Sequence, residues 1–177
     1  MLPRTQRPLV LVGRRDKVAL KCIAVLAIET AMRMREMFTL RWSQVDLAQK
    51  TVFLDKTKNG DKRQVPLSSV ALAELRAFQP SDIDPANLVF PFLQGEESAK
   101  KLNDTTDFLS RLFVDIFELA GAKGLLFHDL RHEATSRLFE RTTLSETSIM
   151  RITGHRSQRM LMRYANLRGS DLAGALW

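Results

Sequence analysis

Thr51-Val52-Phe53-Leu54, then Lys58-Asn59-Gly60-Asp61, then Arg63-Gln64-Val65-Pro66-Leu67: at this stretch a helical pattern gives way to another. The first run reads as a short strand. Asn-Gly is a strong turn signal, and Arg63 to Leu67 supplies the returning strand. A hairpin here, flanked on both sides by helical periodicity, makes the chain mainly α with a small antiparallel β-sheet, an α+β fold and not an all-α bundle.

Upstream, Asp16 can cap a helix that begins near Lys17. Val18 to Ile28 is apolar on almost every face, which predicts a buried helix. A second helical run spans about Arg33 to Arg41, and Trp42 to Asp46 reads as its exit turn. Downstream, Ser68 or Ser69 can cap a helix over about Val70 to Phe78. Pro80, Asp82, Asp84 and Pro85 form a loop, and Leu88-Val89-Phe90 before Pro91 reads as a third, edge strand. Asn103 or Asp104 can cap the next helix. Its apolar positions Phe108, Leu109, Leu112, Phe113, Ile116, Phe117 and Ala120 share one face, and Gly121 ends it. Further helices are expected over about Phe127–Glu140, Glu146–Ile152 and Gln158–Tyr164. No internal repeat or low-complexity tract interrupts the pattern.

The 177 residues suffice for one domain with a real core. The single cysteine, Cys22, excludes an internal disulfide and a multi-cysteine zinc site. Met1-Leu2-Pro3-Arg4 opens no secretory signal, and no segment has the apolar length of a membrane span. Lys and Arg total 27 against 20 for Asp and Glu, a net charge of +7. Such a domain is drawn to polyanions, of which nucleic acid is the commonest. On composition alone, a basic protein without such a partner is an equal alternative.

The residues with chemistry cluster late. His128, Arg131 and His132 stand at i, i+3 and i+4 and share a helix face. Gly154-His155 follows a turn, and the only tyrosine, Tyr164, comes next. Arg33 and Glu36 also stand at i and i+3, and Lys58 sits at the hairpin tip. Singly, each has a plainer use: a packed histidine, a surface ion pair, a solvated lysine, a core tyrosine. Their joint order is the signal.

In that order the residues resemble the catalytic domain of the tyrosine recombinase (phage integrase) family. The matching segments are Thr30 to Glu36 with Leu40-Arg41-Trp42, then Lys58 to Arg63 with Val65-Pro66-Leu67, then His128 to His132, Gly154-His155 and Tyr164. The resemblance runs from about residue 20 to residue 168. It implies that Tyr164 is the nucleophile on a DNA phosphate, that Arg33 and Arg131 grip its non-bridging oxygens, and that Lys58 is the acid for the leaving 5′-oxygen. It gives His128 and His155 proton-transfer or hydrogen-bonding roles. It makes Glu36 an acidic support and His132 a packing and positioning residue. Two guanidiniums meet the charge of the transition state and stay protonated, so neither a metal nor any other cofactor is expected.

Two positions depart from the family pattern. Ala31 stands where a glycine is often found before the first arginine, and Thr153 where a leucine usually precedes Gly-His. Neither does chemistry. The expected organisation is a basic linker or arm at 1–17, the catalytic domain at 18–168, and a tail at 169–177 whose Leu172, Leu176 and Trp177 can dock on a neighbouring subunit. The resemblance implies an N-terminal core-binding domain with which members clamp DNA, and this stretch is expected to lack it. The resemblance implies double-stranded DNA as partner, a homotetramer on paired sites for the full-length protein, and a monomer for this stretch alone. It also implies a cytoplasmic, nucleoid-associated setting in a bacterium or phage. One alternative is a non-cleaving DNA-binding module of this fold. Another is a zinc hydrolase using His128, His132 and His155, but Asp129 replaces the glutamate expected there and Arg131 would sit beside the metal.

Overall fold

The computed structural model describes residues 13–55, 62–93 and 97–164. Lys58 and the Asn-Gly turn, the arm up to residue 12 and the tail beyond Tyr164 lie outside the described residues. Helix α1 (Arg14–Thr30) is followed by α2 (Met34–Phe38), a 3-10 turn at Trp42–Gln44, and strands β1 (Val45–Asp46), β2 (Thr51–Leu54) and β3 (Arg63–Pro66). Then come α3 (Ser69–Phe78), α4 (Ala99–Leu119), α5 (Phe127–Arg141), α6 (Glu146–Thr153) and α7 (Gln158–Met162).

Helix α1 is the hub and packs against α3 and α5. Its Ala19, Cys22, Ile23, Leu26 and Ala27 are buried at helical spacing, but Val18 is 47% exposed and Ala24, Val25 and Ile28 are half-buried. The helix is therefore buried along one face, and not all round as its apolar stretch predicts. It starts at Arg14, earlier than expected. Asp16 still caps it, from inside the first turn, by accepting the Gly13 N–H at 3.1 Å. The helix ends on Ala31, whose φ of 54° is left-handed, a conformation costing a non-glycine residue about 1–2 kcal/mol.

Among the described residues the strands form one antiparallel sheet in the order β1-β2-β3. Val52 lies opposite Val65, and Leu54 opposite Arg63. The third strand is not Leu88–Phe90, as the sequence predicts, but Val45–Asp46, whose residues read in the sequence as part of a turn. Val45 pairs with Val52, whereas Leu88 makes only an isolated bridge to Arg41. Val89 and Phe90 are both buried, which an alternating edge strand does not allow. Phe90 stacks on Phe78 at 5.4 Å and belongs to the core.

Ser68 caps α3, accepting the Ala71 N–H at 3.1 Å. Helix α4 begins at Ala99, several residues before the expected start, because Ser98 accepts the Lys101 N–H at 3.2 Å. It runs to Leu119, with Leu109 and Phe113 buried. Phe113 meets Phe127 at 4.5 Å and so seats the first turn of α5. Among the described residues no helix is long and apolar enough to cross a membrane.

Candidate active site

The site is organised by the C-terminal end of α6. A helix leaves its last carbonyls without partners, and its dipole makes that end favourable to cations. Here three successive carbonyls are taken by three arginines from distant parts of the chain. Ile152 O accepts from Arg63 Nε at 3.1 Å, Thr153 O from Arg131 Nη2 at 2.7 Å, and Gly154 O from Arg33 Nη2 at 3.3 Å. Gly154 ends the helix with a φ of 70°. A Cβ there would come within 2.9 Å of Arg63 Nη1, so glycine is needed both for the turn and for the guanidinium lying on it.

Arg33 is the residue on which α2 opens, not one on its first full turn. Glu36 reaches back to its N–H at 2.8 Å, half of a capping box. The same carboxylate takes Arg33 Nη1 at 2.9 Å and both terminal nitrogens of Arg63, at 2.9 and 2.7 Å. Burial pushes the Glu36 carboxyl up, but the Arg63 hydrogen bond and charge, with Arg33, outweigh it and hold it below the usual carboxylate range. Glu36 is thus an ionised strut between two guanidiniums.

Arg131 is brought in by α5 and is only 5% exposed. It also donates through Nη1 to Ala31 O, the carbonyl turned inward by the left-handed end of α1. The two positions where the sequence departs from the family pattern therefore supply the backbone oxygens that hold Arg131. Burial, then repulsion from Arg33, lowers its pKa to about 10, so it stays charged near neutrality.

His155 follows Gly154, with Nδ1 2.7 Å from Thr153 Oγ1. Burial, then the charges of Arg131 and Arg33, push its pKa down to about 4. His128 is pushed down by burial and by His132, and His132 by burial and by Arg163. The rings of His128 and His132 meet edge to face at 4.6 Å. Tyr164 lies just beyond α7, half-buried, its ring 5.9 Å from His155 and 5.7 Å from His132. Its hydroxyl is hydrogen-bonded to His132 Nδ1 and accepts from Arg163 Nη2 at 2.7 Å.

A cleft of about 1010 Å³ opens beside the cluster, its walls including Arg33, His128, Arg131 and Arg111. Among the described residues, then, Arg33, Glu36, His128, Arg131, His132, His155 and Tyr164 form one cluster, in which Arg33 and Arg131 are joined to the rest through the carbonyls of Gly154 and Thr153. Four participants escaped the sequence reading. Thr153 and Ala31 act through backbone oxygens, which no side-chain pattern reveals, and Arg163 stands beside the tyrosine. Arg63 did leave a signal: on β3 it shares the inward face with buried Val65, and an inward charge implies a buried partner. The zinc alternative is not supported. Among the described residues no group of three or more His, Cys, Asp or Glu is placed to hold a metal ion.

Comparison with known proteins gives a consistent result. The model of a family described as the phage integrase family matches residues 9–170. The shufflon-specific DNA recombinase of Escherichia coli is 37% identical over 167 residues, which cover 92% of this chain and 38% of that protein. The chain thus spans well under half the length of this relative. Two solved structures share the fold. The catalytic domain of bacteriophage HP1 integrase superposes with a TM-score of 0.55 at 23% identity, over 93% of this chain and 91% of that one. The XerH site-specific recombinase bound to its difH substrate does so with a TM-score of 0.66 at 17% identity, over 92% of this chain and 47% of that one.

Proposed function

The chain belongs to the phage integrase family, and from that premise we propose that it is the catalytic domain of a site-specific recombinase that cuts and reseals DNA through Tyr164. The observation that carries the reading is the position of the sole tyrosine: its hydroxyl sits on the edge of a cluster of guanidiniums and neutral imidazoles. Arg33 and Arg131 have their remaining N–H groups for the non-bridging oxygens of a phosphodiester, and both line the adjoining cleft. The Tyr164 oxygen attacks phosphorus and the P–O5′ bond breaks. A 3′-phosphotyrosyl link and a 5′-hydroxyl result, and Lys58 gives the leaving oxygen its proton. His128 and His155 contribute hydrogen bonds or proton transfer at the phosphate, and Glu36 braces Arg33. A 5′-hydroxyl from another strand reverses the step without ATP, because the covalent link conserves the phosphodiester.

Duplex DNA is the partner, bound by a homotetramer on paired sites in the full-length protein and by a monomer of this stretch. The setting is the nucleoid of a bacterium or the cell that a phage infects. A nicked duplex whose 5′ fragment diffuses away tests the reading by trapping the covalent complex. Wild type should accumulate it, while Tyr164→Phe should bind the same duplex and accumulate none. A chain that binds duplex but never forms the adduct would instead be a non-cleaving DNA-binding module.

A further inference from the structure

Resting on the reading of Tyr164 as nucleophile, we propose that His132 is the base that takes its proton, through Nδ1, and that Arg163 stabilises the phenolate so formed. The argument is a proton count. Tyr164 Oη has one hydrogen and two neighbours: Arg163 Nη2 at 2.7 Å and His132 Nδ1. A guanidinium only donates, so Oη accepts from Arg163. The same Nη2 lies 3.5 Å from His132 Nδ1. A hydrogen on Nδ1 would face that donor, so Nδ1 is the bare nitrogen and the ring carries its proton on Nε2. The hydrogen between tyrosine and histidine then belongs to Tyr164 and points at a lone pair.

The surroundings suit the transfer. The two rings lie 28° from parallel, and the Arg163 guanidinium sits 4.9 Å above the tyrosine ring. The groups facing His132 are Arg163 and Tyr164 from the segment after α7, His155 from the turn after α6, and His128, Asp129 and Arg131 on α5 itself. Burial, then Arg163, keeps the imidazole neutral at pH 7 and ready to accept. In the forward step the Oη–H bond breaks and Nδ1–H forms while Oη bonds to phosphorus. O5′ leaves and takes its proton from Lys58. On resealing, the imidazolium returns the proton to the departing tyrosine oxygen. His132 is thereby a participant, not the packing residue that the family resemblance implies. His128, edge-on to the His132 ring, braces the base.

Two measurements on the full chain test this. With three histidines in the chain, imidazole ¹⁵N spectra should show His132 with a bare, hydrogen-bonded Nδ1 and a protonated Nε2. In Tyr164→Phe the Nδ1 signal should move toward that of a free bare nitrogen. A proton on Nδ1 in wild type would overturn the proposal. Second, single-turnover formation of the covalent complex is followed against pH for wild type and His132→Asn, whose side-chain oxygen can replace Nδ1 as acceptor but cannot take the proton. Wild type should lose rate on the acid side, below the ordinary histidine range. His132→Asn should bind DNA normally, react about 10²–10⁴-fold more slowly and lack that acid limb. A rate within a few-fold of wild type, with the limb retained, refutes the base. A wild type that forms no covalent complex refutes the nucleophile, and the catalytic half of the proposal with it, while the nitrogen spectra still report the proton position.

Discussion

Replacing Arg63 by methionine removes one guanidinium of the pair that grips Glu36 and leaves an aliphatic chain in its place. Three hydrogen bonds go: two to the Glu36 carboxylate at 2.9 and 2.7 Å, and one to Ile152 O at 3.1 Å. The Arg63 and Glu36 side chains are 7% and 4% exposed, so the surface scale of salt bridges does not apply. Breaking a buried pair by removing one partner costs about 3–5 kcal/mol, because the other charge stays desolvated. Arg33 still holds Glu36 by its N–H and Nη1, which places the expected loss near the lower end, about 3 kcal/mol. That is a large share of a typical domain's stability of about 5–15 kcal/mol. Urea unfolding at pH 7 measures it. The pH dependence makes the test sharper. In the wild type the Glu36 pKa lies below its usual value, so its ionisation stabilises the fold above about pH 4.5, and the contribution is lost as pH falls through the folded value. Without Arg63, burial loses its main counterweight and the folded pKa rises. The penalty then shrinks as Glu36 takes up a proton, so the gap between wild type and variant should narrow toward pH 4. A loss under about 1 kcal/mol that is equal at pH 7 and pH 4 would refute the account of Glu36 as an ionised strut.

Gly154→Ala should lower the urea midpoint, since alanine pays about 1–2 kcal/mol for the left-handed turn and its Cβ must displace Arg63 as well. Arg131→Ala should cut covalent-complex formation by at least about 10²–10³-fold, the usual effect of deleting one preorganised donor, with Tyr164 intact. Lys58→Ala should lose cleavage on a normal duplex and recover much of it when the 5′-leaving oxygen is sulfur, a far better leaving group. Tyr164→Phe should gain nothing from that substrate, and rescue of Arg131→Ala in place of Lys58→Ala would reassign the acid. Cleavage should persist in EDTA; loss that Mg²⁺ or Zn²⁺ restores would overturn a mechanism in which arginines carry the positive charge.

Periodicity and turn chemistry were enough to read the α+β class, the strands β2 and β3 of the hairpin, the apolar face of α4, and the grouping of His128, Arg131 and His132 on α5. These are local properties: which side of a helix or strand a residue occupies follows from spacing alone. Helix starts were less legible: Asn103 and Asp104 can cap, but the cap of α4 is Ser98, which accepts the Lys101 N–H. The third strand was misplaced because Leu88-Val89-Phe90 has strand-like residues, but the core takes Val89 and Phe90 together. The bracing of the site belongs to tertiary structure. Arg33, Arg63 and Arg131 are far apart in the chain, and they converge only because α2, β3 and α5 all meet the end of α6. Each arginine takes a backbone carbonyl of its own, a group that every residue possesses. The value of these carbonyls as ligands comes from where a helix stops and which way its last turn points, and folding alone decides that.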